Sequence, residues 1–388
     1  MKKYKVSIQG MTCASCENHV TMALENIGAK DIKTNYRQGE TEFNLSESVE
    51  INSIEKAIEQ SNYQIEKIEK IASQSNLILK NEKEYDYDFL IIGSGSAAFS
   101  AAIQATKYGA KVGMVERHTI GGTCVNVGCV PSKTLLRAGT INHLAKKNPF
   151  HGLNTMAGEV DLKSLVKQKD ELVSGMRQEK YIDLIDEYGF DLIEGEAKFV
   201  GSDVVEVNGE ELKAKRFLIA TGATSFIPEI PGIEKIDYLT STTLLELDEV
   251  PERLTVIGSG YIGLELGQLF HNLGSKVTLI QRSERLLKDY DLEVSETVEK
   301  ALHEQGIQVI TGINYEWVEQ DGDIKKLTVT KNGKQKTFES DQLLIATGRK
   351  PNTEALNLDV AGVKIGINNE IMMNDFGQTS NQHMSSAL

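Results

Sequence analysis

At 388 residues the chain exceeds what one ordinary core supports, so two or three domains are expected. Hydrophobic residues make up 40% and charged residues 25%, the balance of a globular protein, and a net charge of −14 argues against nucleic-acid phosphates as a partner. No apolar run approaches ~18 residues, and Met1-Lys2-Lys3-Tyr4-Lys5-Val6 leads into no apolar h-region, so the sequence favours the cytoplasm over a membrane or a secretory route.

Residues 1–69 read as a small independent domain. Lys3 to Gln9 alternates like a strand, a cysteine-bearing loop follows, and a helix is expected from about Cys16 to Ile27. Asp31–Tyr36 and Thr41–Leu45 read as strands around a Gln38-Gly39 turn. Ile51, Ile54 and Ile58 mark a helix to Ser61, and Tyr63–Ile68 alternates again. The order βαββαβ is the ferredoxin-like pattern. Within it, Cys13 and Cys16 form a C-x-x-C loop where strand gives way to helix, an arrangement whose thiolates bind soft cations. Two thiols suffice for linear or trigonal Cu(I) or Hg(II), whereas zinc normally takes four protein ligands. A redox C-x-x-C is the rival reading, but no Trp and no preceding βα pattern accompany it.

Residues 70–84 lack a period and read as a flexible linker. Beyond it the chain repeats itself. Phe89–Ile92 is an apolar strand followed by Gly93-Ser94-Gly95-Ser96-Ala97-Ala98, and Leu254–Ile257 is followed by Gly258-Ser259-Gly260-Tyr261-Ile262-Gly263. Gly93 and Gly258, Gly95 and Gly260, Ala98 and Gly263, and Glu116 and Gln281 are each 165 residues apart. A second repeated element joins Leu218–Gly222, with Thr221, to Leu344–Gly348. Each copy places a G-x-G-x-x-G/A turn between strand and helix, the context in which backbone N–H groups and a helix N-terminus take a pyrophosphate. Glu116 suits the ribose hydroxyls of FAD. Gln281, with Arg282 and Arg285 after it, removes the carboxylate that would repel a 2′-phosphate, so NADPH is expected over NADH. The expected fold is α/β: a ferredoxin-like head, then Rossmann-like domains for FAD (85–235, with a return at 351–388) and NAD(P) (236–350).

Four cysteines occur, in two close pairs, which suggests metal binding or redox chemistry rather than a disulfide scaffold. The second pair lies in Gly121-Gly122-Thr123-Cys124-Val125-Asn126-Val127-Gly128-Cys129-Val130-Pro131-Ser132-Lys133. Cys124 and Cys129 are expected at a single helix start, able to form a disulfide, with the helix dipole lowering a thiol pKa.

This segment resembles the redox-active disulfide signature of the pyridine nucleotide–disulfide oxidoreductases, which include glutathione reductase, dihydrolipoamide dehydrogenase and mercuric reductase. The resemblance runs from Tyr85 to about Ser380. It implies that Cys124 is the interchange thiol and Cys129 the flavin-side thiolate. Lys133 would sit near flavin N5 paired with Glu265, and Tyr261 would cover the nicotinamide pocket. The head resembles heavy-metal-associated domains, so residues 1–69 should fold alone and bind one soft ion through Cys13 and Cys16. The fusion is similar to that of mercuric reductases. It implies FAD and NADPH as cofactors, Hg(II) as substrate bound at Cys13, Cys16, Cys124 and Cys129, no membrane partner, and a homodimer in the intact family. The alternatives are another FAD disulfide oxidoreductase, such as a dihydrolipoamide dehydrogenase with a metal head, or a metal-binding protein with a remnant reductase. By the same resemblance Asn374–Ser380 leads toward an apolar strand and an Ala-Gly-Asp. The residues Asn381–Leu388 follow instead. The strand, that carboxylate and the C-terminal dimerisation domain with its cysteine pair are therefore expected to be absent, and poor turnover is expected of these 388 residues alone.

Overall fold

The computed structural model describes residues 2–11, 14–36, 39–46, 49, 51–61, 63–71 and 85–387. It divides into two units, Met1–Lys83 and Glu84–Leu388. In the first, β1 (Lys2–Gln9), α1 (Ala14–Asn26), β2 (Lys30–Asn35), β3 (Glu40–Leu45), α2 (Ile51–Glu59) and β4 (Gln64–Ile71) follow the expected ferredoxin-like order. The sheet runs β2-β3-β1-β4. Alternation in β1 turns Tyr4, Val6 and Ile8 into a core with Val20, Leu24, Ile54 and Ile58, while Lys3 and Lys5 pair with Glu42 and Glu40. The linker was expected from residue 70, but Lys70 and Ile71 extend β4 opposite Tyr4 and Lys3. The long edge of β1 offers them backbone partners. The rest of the expected linker, 72–84, lies outside the described residues.

The second unit opens with β5 (Tyr87–Ile92), α3 (Ser96–Lys107), β6 (Val112–Glu116), α4 (Gly122–Asn126), α5 (Cys129–Lys146), α6 (Leu162–Arg177), α7 (Asp183–Tyr188) and β7 (Asp191–Glu194). A meander of β8 (Ala197–Gly201), β9 (Val204–Val207) and β10 (Glu210–Ile219) follows. β7, β6, β5 and β10 pair side by side as a parallel sheet. Leu90, Ile91 and Ile92 are all buried, as a strand covered on both faces requires. After β11 (Ala223–Ser225) and α8 (Ser241–Leu244) the plan recurs with β12 (Arg253–Ile257), α9 (Tyr261–Leu273), β13 (Lys276–Ile280), α10 (Leu292–Gln305) and β14 (Gln308–Ile310). A second meander, β15 (Asn314–Asp321), β16 (Ile324–Lys331) and β17 (Lys334–Ser340), leads into β18 (Gln342–Ile345). The order β14-β13-β12-β18 repeats β7-β6-β5-β10, which is why the sequence repeats at a fixed distance. β19 (Arg349–Pro351) pairs antiparallel with β11 as a separate two-stranded sheet.

Three expectations change. Ile227, Ile230 and Ile233, expected with the first sheet, pack with Ile257, Ile280 and Ile345 of the second, so the border falls earlier than residue 236. Cys124 and Cys129 do not share a helix: α4 ends at Asn126 and α5 begins at Cys129. The break is at Gly128, where a Cβ would lie 2.9 Å from the Thr123 carbonyl oxygen. The strand expected to be missing after Ser380 is present as β20 (Met384–Ser386), parallel to Phe217–Ile219 of β10. Met384 is buried and Ser386 donates to Ile219 O, so three residues suffice to cover that edge despite two serines. Among the described residues no helix is long and apolar enough to cross a membrane.

Candidate functional site

The two repeats build two pockets. The first, about 580 Å³, is lined by Gly93, Gly95, Glu116, Gly122, Thr123, Thr221 and Gly222 among others. Gly93 is at φ +107°, and a Cβ there would lie 2.2 Å from Ala220 O. The repeated Leu-Ile-Ala-Thr-Gly element therefore seals the turn from behind. Gly122, at φ +64°, packs on the Gly95 Cα so closely that a Cβ would sit 2.6 Å from it. Ala98, at the third motif position, is fully buried between α3 and the sheet.

Glu116 ends β6 at the pocket rim. Its carboxylate accepts from Ser94 Oγ at 2.5 Å and from His118 N at 2.8 Å. The Ser94 oxygen also accepts from Gly121 N. One buried hydroxyl thus ties the Gly93–Gly95 turn, the Glu116 carboxylate and the start of the cysteine segment together. Ser94 was not singled out in the sequence, although Ser259 holds the same place in the second copy and marks the position as part of the repeat. Asn126 donates to Ile120 O and Gly122 O and accepts from Arg177, fixing α4.

Cys124 is half-buried in α4, and Cys129 is the exposed first residue of α5. Both are thiols. The Cys124 pKa is raised, first by its hydrogen bond to the Cys129 sulfur, then by burial and by the charge of Cys129. The Cys129 backbone N–H opposes this. One turn along α5, on the same face, Lys133 reaches Glu265 of α9 at 2.5 Å. Packing of α5 on α9, with Gly139 against Leu269, brings these distant residues together. The pair is exposed at 60% and 44%, where an ion pair contributes only about 0–1 kcal/mol, so its charge placement bears on the site more than on stability.

The second pocket, about 730 Å³, is lined by Gly258, Gly260, Tyr261, Gln281, Arg282, Lys288, Tyr290 and Gly348 among others. Gly263 packs under the turn, where a Cβ would meet Gly258 O at 2.1 Å, whereas a Cβ on Gly260 would meet nothing within 4 Å. Gln281 accepts from Ser259 N and donates to Ser283 Oγ. Arg282 lies near the half-buried Tyr315, whose pKa desolvation pushes up to about 12 against the pull of that guanidinium. Arg285 does not line the pocket. It donates to the carbonyls of Lys288 and Tyr290, and Lys288 is the cation that the loop presents instead.

Both pockets fit a dinucleotide. Thr221 Oγ1 in the first and Ser259 Oγ in the second are buried with no hydrogen-bond partner among the described residues. Gly222, which lines the first pocket, and Gly260, which lines the second, both face open space. In the head, Met11 is buried and Cys16 is half-buried against the core, while Cys13 lies outside the described residues.

Residues 50–387 match the pyridine nucleotide-disulphide oxidoreductase family, and residues 5–64 match the heavy-metal-associated domain. A mercuric reductase of Lysinibacillus sphaericus is 65% identical over 387 residues, covering 100% of this chain and 70% of the relative. A mercuric reductase of Bacillus cereus is 61% identical over 391 residues, covering 100% of this chain and 62% of the relative. The HOCl-induced flavoprotein disulfide reductase RclA from Escherichia coli superposes with a TM-score of 0.68 at 29% identity, over 77% of this chain and 65% of that one.

Proposed function

Because the chain belongs to the pyridine nucleotide–disulphide oxidoreductases, on their mercuric reductase branch, we propose that it serves the reaction NADPH + Hg(II) → NADP⁺ + H⁺ + Hg(0). The observation that carries the proposal is the Cys124–Cys129 dithiol beside the Lys133–Glu265 pair, adjoining a pocket fit for FAD. The family implies FAD and a pyridine nucleotide. When bound, FAD supplies the two-electron step between nicotinamide and thiols.

The chain's own residues then have distinct tasks. The turn at Gly93–Gly95 and the N-terminus of α3 take the FAD pyrophosphate, Glu116 the ribose hydroxyls, and Thr221 donates its free hydroxyl. Cys124 and Cys129 bind Hg(II) as a soft, two-coordinate ion. Cys124 must give up its proton to do so, because the ligand is the thiolate. Cys13 and Cys16 hold a second soft ion on the head. NADPH, bound cytoplasmically where thiols stay reduced, would meet Arg282 and Lys288 with its 2′-phosphate.

The test is anaerobic NADPH oxidation by the flavin-loaded protein with Hg(II), lipoamide or glutathione disulfide as acceptor. Hg(II) is the one acceptor of the three expected to support it, at the poor turnover expected of these 388 residues, with release of Hg(0); turnover with lipoamide and inhibition by Hg(II) would overturn the proposal. Nucleotide choice has its own check. Gln281→Glu places a carboxylate at the 2′-phosphate. The ratio of kcat/KM for NADPH to that for NADH is expected to fall at least about tenfold, and an unchanged ratio counts against this assignment.

A further inference from the structure

The loop after β13 is organised around a residue that does not line the pocket. Arg285 donates through one nitrogen to Lys288 O at 2.6 Å and to Tyr290 O at 2.9 Å. Between Arg285 and Lys288, Leu287 is held at φ +45°, a conformation that non-glycine residues rarely adopt and that persists only where the surroundings enforce it. The braced loop carries Tyr290 to Tyr261, the first residue of α9. Their ring centroids are 6.2 Å apart at an interplanar angle of 85°, and their hydroxyls are hydrogen-bonded. Both rings are exposed, Tyr261 at 62% and Tyr290 at 47%, so their contact is not core packing.

Tyr261 belongs to the side of the pocket formed by the phosphate turn, and Tyr290 to the side formed by the loop. One turn further along α9, on the same face, Glu265 meets Lys133. A dinucleotide laid over Gly258–Gly260 with its adenosine end at Arg282 has to pass Tyr261 to bring its other end toward that pair. We propose that Tyr290 is a positioning residue that latches Tyr261 across the inner half of this pocket, with Arg285 as the brace of the latch. The inference rests on the dinucleotide reading of this pocket. It follows that the adenosine half of the ligand binds without disturbing the two rings. The nicotinamide half binds only after the hydroxyl–hydroxyl bond breaks.

The two halves can be measured separately on the flavin-loaded protein by calorimetry, with no turnover. NADP⁺ carries both halves, and adenosine 2′,5′-bisphosphate only the first. Tyr290→Phe keeps the ring and removes the bond, so NADP⁺ is expected to bind about two- to tenfold more tightly. Adenosine 2′,5′-bisphosphate is expected to be unchanged. Tyr261→Phe should give the same gain, and the double variant no more than either single one, because both delete one bond. NADP⁺ affinity that is unchanged or weakened in Tyr290→Phe, or a parallel shift for both ligands, would make Tyr290 a plain wall of the pocket and overturn the latch. Failure of both ligands to bind the unaltered protein would overturn the dinucleotide reading, and the latch with it.

Discussion

Replacing Cys129 with alanine is expected to lower Hg(II)-dependent NADPH oxidation about 10³-fold or more relative to the unaltered protein. The thiol pair is the only route from the flavin side to the metal in the proposed reaction, and a single thiol can neither hold Hg(II) in two-coordinate form nor close a disulfide. FAD content and NADP⁺ affinity should stay within about twofold, because Cys129 lines neither pocket. The same variant has a second readout. Cys124 is raised above its ordinary value chiefly because it donates to Cys129. With that acceptor gone, the protonated form loses its main support while the backbone N–H at residue 129 still favours the thiolate. The pH midpoint for alkylation of Cys124 should therefore move down. A midpoint that stayed or rose would mean that burial, not the partner sulfur, holds the proton on Cys124.

The second large effect separates two glycines of one motif. Gly93→Ala puts a methyl 2.2 Å from Ala220 O at φ +107°, against backbone that β5 and β10 fix between them. Destabilisation on the order of 3–5 kcal/mol and loss of bound FAD are expected. Gly260→Ala is the opposite case. Its φ is −73°, open to any residue, and a Cβ would find nothing within 4 Å. Thermal stability should be unchanged while NADP⁺ binding falls at least about tenfold, because the methyl fills the space meant for a pyrophosphate. A Gly260→Ala protein that binds NADP⁺ normally would show that the phosphates lie elsewhere. Thermal denaturation, flavin absorbance and calorimetry suffice to compare the two variants.

Much of this molecule was legible in its sequence because it depends on local pattern and on chemistry that few residues can perform. Alternation in Lys3–Gln9, the recurring strand–turn–helix and the paired cysteines each announce themselves within a dozen residues or by a constant spacing. The doubly wound architecture and both glycine turns between strand and helix followed from them. Sequence alone could not assign the glycines their separate tasks, since that depends on whether Ala220 O or open space faces each one. Nor could it tell that Arg285 spends its guanidinium on two carbonyls and leaves Lys288 to the pocket. A charged side chain goes to whichever partner the fold brings nearest. The cysteines fall on two helices because Gly128 packs against Thr123. Lys133 meets Glu265 only because α5 lies on α9. Met384–Ser386 becomes a strand because β10 presents a free edge, a long-range offer of hydrogen bonds that outweighs weak local propensity. Local order is written in the spacing of residues. The competition for distant partners is decided only when the chain closes on itself.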